Sequence, residues 1–142
     1  MLDALVAALK VTQPIETTLS QPRAWGNTMA ALATNRVYAY HALGALGELE
    51  LTPPGRATKV SEALRRLKVS AKARHYFDLH AVLDVKHSEA WNREVFASIV
   101  AEKADAARWI AEGALMRLQC GADCFDAYRR HFWGGNGASP SA

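Results

Sequence analysis

The run His75-Tyr-Phe-Asp-Leu-His80-Ala-Val-Leu-Asp84-Val-Lys-His87-Ser-Glu-Ala-Trp91 holds three residues of a type and spacing suited to a metal ion. On a helix turning by about 100° per residue, His80, Asp84 and His87 fall within roughly 60° of one another, so two imidazoles and a carboxylate share one face. The same stripe continues through Tyr76 and Phe77 on one side and Trp91 on the other, which makes the face partly apolar and inward. An ionised aspartate in such surroundings is costly unless a charge compensates it, and a divalent metal does so directly. Imidazole with carboxylate is the donor set of non-haem iron, manganese or zinc. The competing reading is a hydrogen-bonded His–Asp–His cluster on a wet helix face, and spacing alone leaves both open.

A carboxylate from a second helix would complete an inward site, as in helix bundles that build metal centres from facing helices. Glu48 and Glu50 are the candidates, both just before Pro53-Pro54. His75 falls off the ligand face and reads as a surface or capping residue. His131 lies beside the small, polar C-terminal residues, and His41 has no carboxylate three or four residues further on. Cys120 and Cys124 lie four apart on a predicted helix, where a disulfide would close a very short loop. They read as two buried thiols in a reducing compartment, without the further His or Cys that zinc spacing needs. Gly134-Gly-Asn-Gly137 precedes no helix and is not a phosphate loop.

The elements that must carry these residues are helices throughout, because apolar residues recur every three to four positions and no alternating β-branched run appears. The expected class is all-α. A first helix covers about 2–10 and ends before Pro14; residues 17–23 form a loop; a long second helix runs from about Trp25 to Glu50. Gly44 and Gly47 within it imply close packing where no side chain fits. Pro53-Pro54-Gly55 breaks the chain, and a basic amphipathic helix follows with Val60, Leu64 and Leu67 inward. A fourth helix is expected over about 71–100, and a fifth over about 103–130 after a break at Ala101-Glu102. Residues 1–133 are expected to form a single helical domain, and 134–142 a disordered tail.

The chain has 142 residues, half of them hydrophobic and 22% charged, which excludes a disordered, collagenous or disulfide-stapled protein. The net charge of +3 is spread along the chain with no basic block, so composition does not point to nucleic acid. Met1–Lys10 carries Asp3 and no basic leader, and no apolar run reaches the roughly 18 residues of a membrane span. A cytoplasmic location is the expectation.

Four motifs, taken in order, resemble a known family: Gly44-Ala-Leu-Gly-Glu-Leu-Glu50-Leu-Thr-Pro-Pro; Leu64-Arg-Arg-Leu67; Tyr76-Phe-Asp-Leu-His80-x3-Asp84-x2-His87-x3-Trp91; and Ala111-Glu-Gly-Ala-Leu. Together they are similar to the haem-oxygenase-like iron-containing redox enzymes, also called haem-oxygenase-like diiron oxidases or oxygenases. The resemblance extends from Thr17 to His131. It implies a haem-oxygenase-like helical bundle in which one or two non-haem iron ions, or manganese, activate O2 to oxidise a small organic substrate. It further implies that His80, Asp84 and His87 are metal ligands. The carboxylate ending the preceding long helix maps to Glu50, by its distance from Leu64-Arg-Arg-Leu67, with Glu48 the fallback.

The family also uses a Glu and a His in a Glu-Tyr-Gly-containing stretch, on helices before the part that resembles Met1–Val11. This chain has no such stretch. The expectation is therefore a bundle shortened at its N-terminus, whose metal site is weak or empty. An apolar groove along the second, fourth and fifth helices would then be open to a second copy or a partner chain. The alternative is a non-catalytic bundle that works through association.

Overall fold

The computed structural model describes residues 2–11 and 14–134, side chains at 53, 54 and 84–87 excepted. Its elements are α1 (Leu2–Leu9), α2 (Ser20–Thr34), α3 (Ala39–Leu51), α4 (Pro53–Arg66), α5 (Ala71–Ala90), α6 (Ala97–Glu102) and α7 (Ala106–Trp133). Short 3-10 turns at Ile15–Thr17 and Arg36–Tyr38 and a π-helical turn at Trp91–Phe96 join them. The class is all-α, and no strand occurs among the described residues. The chain forms two compact units, one from residues 1–13 and 46–107, the other from 14–45 and 108–142. Of the expected C-terminal tail, residues 135–142 lie outside the described residues.

Several helix boundaries differ from the sequence reading. The expected loop over 17–23 already contains the start of α2, because Pro22 sits in the first turn, where its missing N–H has no intrahelical partner to lose. The expected long second helix is broken at Asn35, whose backbone is extended (φ −111°, ψ 108°). The Asn35 side chain accepts from the Val37 N–H at 3.1 Å, offering the chain a local alternative to the helical ladder. The break expected at Ala101-Glu102 falls instead at Lys103, which is extended at φ −143°.

In the first unit α4 begins at Pro53, with prolines in the first turn as their fixed φ favours. Its inward residues are Ala57, Ser61 and Leu64, all buried. Of the three expected there, Val60 is 37% exposed and Leu67, which caps the helix, is 65% exposed. The helix ends in a turn where Lys68 takes φ 57° and the Val69 N–H donates to the Leu64 carbonyl at 3.0 Å.

Packing of α4 on α5 is pinned by Asp78. It accepts from the Ser61 hydroxyl, from Arg65 Nη2 at 3.1 Å and from Arg74 Nε at 2.9 Å, while Arg74 also donates to the Val69 carbonyl at 2.8 Å. The Ser61 bond does most to hold the Asp78 carboxyl below its ordinary value; partial burial opposes it, and Arg65 and Arg74 add to it. A carboxylate whose folded pKa is depressed contributes stability above its unfolded value, and that contribution is lost as pH falls through the folded one. Asp78→Asn is therefore expected to lower the melting temperature at pH 7. Thermal unfolding followed across pH should show the gap to wild type closing below about pH 4.

In the second unit α7 packs against α3 and α2 through small residues. A Cβ on Gly44 would lie 1.8 Å from the Ile110 carbonyl oxygen, and one on Gly113 would lie 2.0 Å from that of His41. The close packing expected at Gly44 is thus met backbone to backbone. Further along, the Arg117 guanidinium is buried 4.3 Å from the Trp25 ring centroid. Cys124 is buried and Cys120 half-buried, both as free thiols.

Candidate metal centre

Positions 80, 84, 87 and 91 run along one stripe of α5 into the π-helical turn. In a regular helix residues 91 and 96 would point well apart; an i→i+5 turn brings them round to one side. Their rings accordingly meet edge to face at 6.2 Å and lie together on Gly47 of α3. A Cβ at Gly47 would fall 2.1 Å from the Phe96 ring and 2.4 Å from Trp91 Nε1. The last member of the stripe therefore rests against α3 beside its carboxylates. Trp91 Nε1 is buried with no hydrogen-bond partner among the described residues.

Glu48, next to Gly47, is 4% exposed, whereas Glu50 is half-buried. His80 is half-buried, with Nδ1 2.8 Å from the Tyr76 carbonyl oxygen. A carbonyl only accepts, so Nδ1 carries the proton and Nε2 presents its lone pair. The Tyr76 ring stacks on the imidazole at 4.0 Å and 28°, limiting its rotation. The side chains of Asp84 and His87 lie outside the described residues. Among the described residues, no three His, Cys, Asp or Glu side chains group closely enough to hold a metal ion.

His75 and His131 are exposed, as the sequence suggested. His41 is where sequence reasoning fell short. In the second unit its Nε2 lies 3.4 Å from Glu112 Oε2, and Glu112 also accepts from Arg108 Nε at 2.9 Å. Tyr38 and Trp109 flank the imidazole, each at 5.4 Å. Its Nδ1 is buried without a hydrogen-bond partner among the described residues. The Arg108 hydrogen bond is the main cause holding the Glu112 carboxyl below its ordinary value, and His41 adds to it. Only the crossing of α3 and α7 joins this pair, so no spacing along the chain marks it.

Helices, with no strand among the described residues, define an all-α protein of the helical-bundle class. The chain belongs to the iron-containing redox enzymes, whose family model matches residues 1–122, and with them to the haem-oxygenase-like bundles. No curated protein and no solved structure matches it. No helix among the described residues is long and apolar enough to cross a membrane.

Proposed function

We propose that the chain is a non-haem iron, O2-dependent oxidoreductase acting on a small organic substrate. Its ligands would be His80, Asp84, His87 and a carboxylate of α3, Glu48 in preference to Glu50. The observation that carries this reading is the His80 imidazole, fixed by the Tyr76 carbonyl in the tautomer that leaves Nε2 free to coordinate. The donor types fit iron: an imidazole whose Nδ1 is engaged by a carbonyl, and on α3 a buried carboxylate. The preference for Glu48 rests on that burial, which the half-exposed Glu50 does not share.

Iron in such a donor set supplies one-electron and O2 chemistry when bound. The chain's own residues do the rest. Tyr76 orients His80 through its carbonyl and its ring, so little rotamer freedom is lost on coordination. Trp91 and Phe96 are seated on Gly47, and the neighbouring Glu48 is buried, so its carboxylate acts through a medium of low dielectric. The π-helical turn is what lets both rings reach that one glycine.

O2 uptake by protein loaded anaerobically with Fe(II) tests the proposal. Wild type should consume O2 faster than the same concentration of free Fe(II), and Asp84→Ala should not. Uptake no faster than free iron in wild type, or unchanged in Asp84→Ala, rejects it. A second reading, a non-catalytic bundle acting by association, is favoured by the exposed apolar residues of α7. Iron-dependent O2 uptake by wild type rejects that one.

A further inference from the structure

Helix α7 carries two seams, one buried and one exposed. One is the buried seam of Ile110, Gly113, Arg117, Gly121 and Cys124, which packs within the second unit. On another side Ala111, Leu115, Leu118, Ala122, Phe125 and Phe132 recur at alternating steps of four and three, with Arg129 in the one remaining slot. All of them are exposed: Leu115 by 64%, Leu118 by 42%, Phe125 by 48% and Phe132 by 64%. Such spacing is the heptad pattern of a helix that pairs with another helix. It spans about 32 Å of α7, three heptads.

We propose that this seam is the interface of a homodimer in which two α7 helices pair antiparallel about Ala122. The inference does not depend on the metal reading. Area favours a second copy. Phe125 and Phe132 in the seam, with Trp133 flanking it at 58% exposed, offer roughly 350 Å² of aromatic surface per copy. The two leucines and the flanking side chains bring this towards the ~800 Å² per partner typical of a stable interface.

Charge decides the direction. A parallel pair would set Arg129 against Arg129 in the apolar seam, where both guanidinium groups lose hydration and each has only Asp126 of its own helix, at 2.9 Å, to offset its charge. An antiparallel pair sets Arg129 against Leu115, at the edge of the seam, where the guanidinium reaches solvent past the aliphatic stem. Leu118 then falls within one residue of Phe125 and Ala122 meets its own counterpart, so large and small residues alternate along the contact.

Sedimentation equilibrium of the full chain over micromolar concentrations is the test. Wild type should be a dimer, and Leu118→Glu with Phe132→Glu should weaken it on the order of 100-fold while leaving helical circular dichroism unchanged, since both sites are exposed. Oxidation should cross-link Ala122→Cys to its counterpart and leave Leu115→Cys uncross-linked at that position. A monomer at all concentrations, a dimer indifferent to the two glutamates, or cross-linking at 115 as readily as at 122 overturns the proposal.

Discussion

Gly44→Ala is expected to cost the protein about 2–4 kcal/mol, because the new methyl group needs space that the backbone of α7 occupies. Its Cβ would sit 1.8 Å from the Ile110 carbonyl oxygen and 3.0 Å from the Ala114 nitrogen. Neither can rotate aside as a side chain would, so the two helices must separate and loosen the His41, Trp109 and Ile110 contacts around the crossing. The usual helix-propensity gain of alanine over glycine, about 1 kcal/mol, is too small to offset this. Thermal unfolding followed by circular dichroism should show a drop on the order of 10 °C. Gly113→Ala should behave alike, its Cβ lying 2.0 Å from the His41 carbonyl oxygen. Gly26 in α2 is the internal control. Nothing lies within 4 Å of its would-be Cβ, so Gly26→Ala should raise the melting temperature instead.

If His80 is the ligand proposed above, His80→Ala is expected to weaken iron binding by more than the roughly 10–100-fold that loss of an outer hydrogen-bond partner costs, because it removes an imidazole already oriented for coordination. The Tyr76 carbonyl fixes the tautomer and the stacked Tyr76 ring holds the plane, so the free protein keeps Nε2 ready. Glu48→Ala should act in the same direction, since a carboxylate at 4% exposure interacts with a cation through a low-dielectric interior. Glu50→Ala should cost less, as its half-exposed charge is screened by water. His75→Ala should cost nothing, because that imidazole is exposed and off the stripe of His80, Asp84 and His87.

Much of this arrangement is legible along the chain, and the limits of legibility have physical causes. The all-α class follows from the apolar period, and the close approach at Gly44 and Gly47 from two glycines in an otherwise helix-favouring run. The prolines that open α4 are legible because their effect is local. The break at Asn35 is not, since it depends on one side-chain bond to Val37 competing with the helix, in a segment whose composition favours helix throughout. The π-helical turn is equally silent in sequence: it brings Trp91 and Phe96 to one side, where both pack on Gly47 of another helix.

The stripe of His80, Asp84 and His87 could be read from spacing, but the proton on His80 Nδ1 could not, because its partner is a backbone carbonyl. Glu48 and Glu50 are hard to rank from sequence for a related reason. They stand two residues apart on one helix, and which of them is buried is set by tertiary packing that spacing along the chain does not encode. His41 and Glu112 meet only through a helix crossing. Leu67 shows the converse error, an apolar residue with the right period that the helix end turns out to solvent.

The claim that the α5 stripe holds iron is tested most directly by anaerobic titration of the protein with Fe(II) against a competing chelator, on wild type, His80→Ala and His75→Ala. Retention of iron by wild type and by His75→Ala, with affinity lowered by more than about 100-fold in His80→Ala, is the predicted result. No iron retained by wild type, or an equal loss in His75→Ala and His80→Ala, would contradict it.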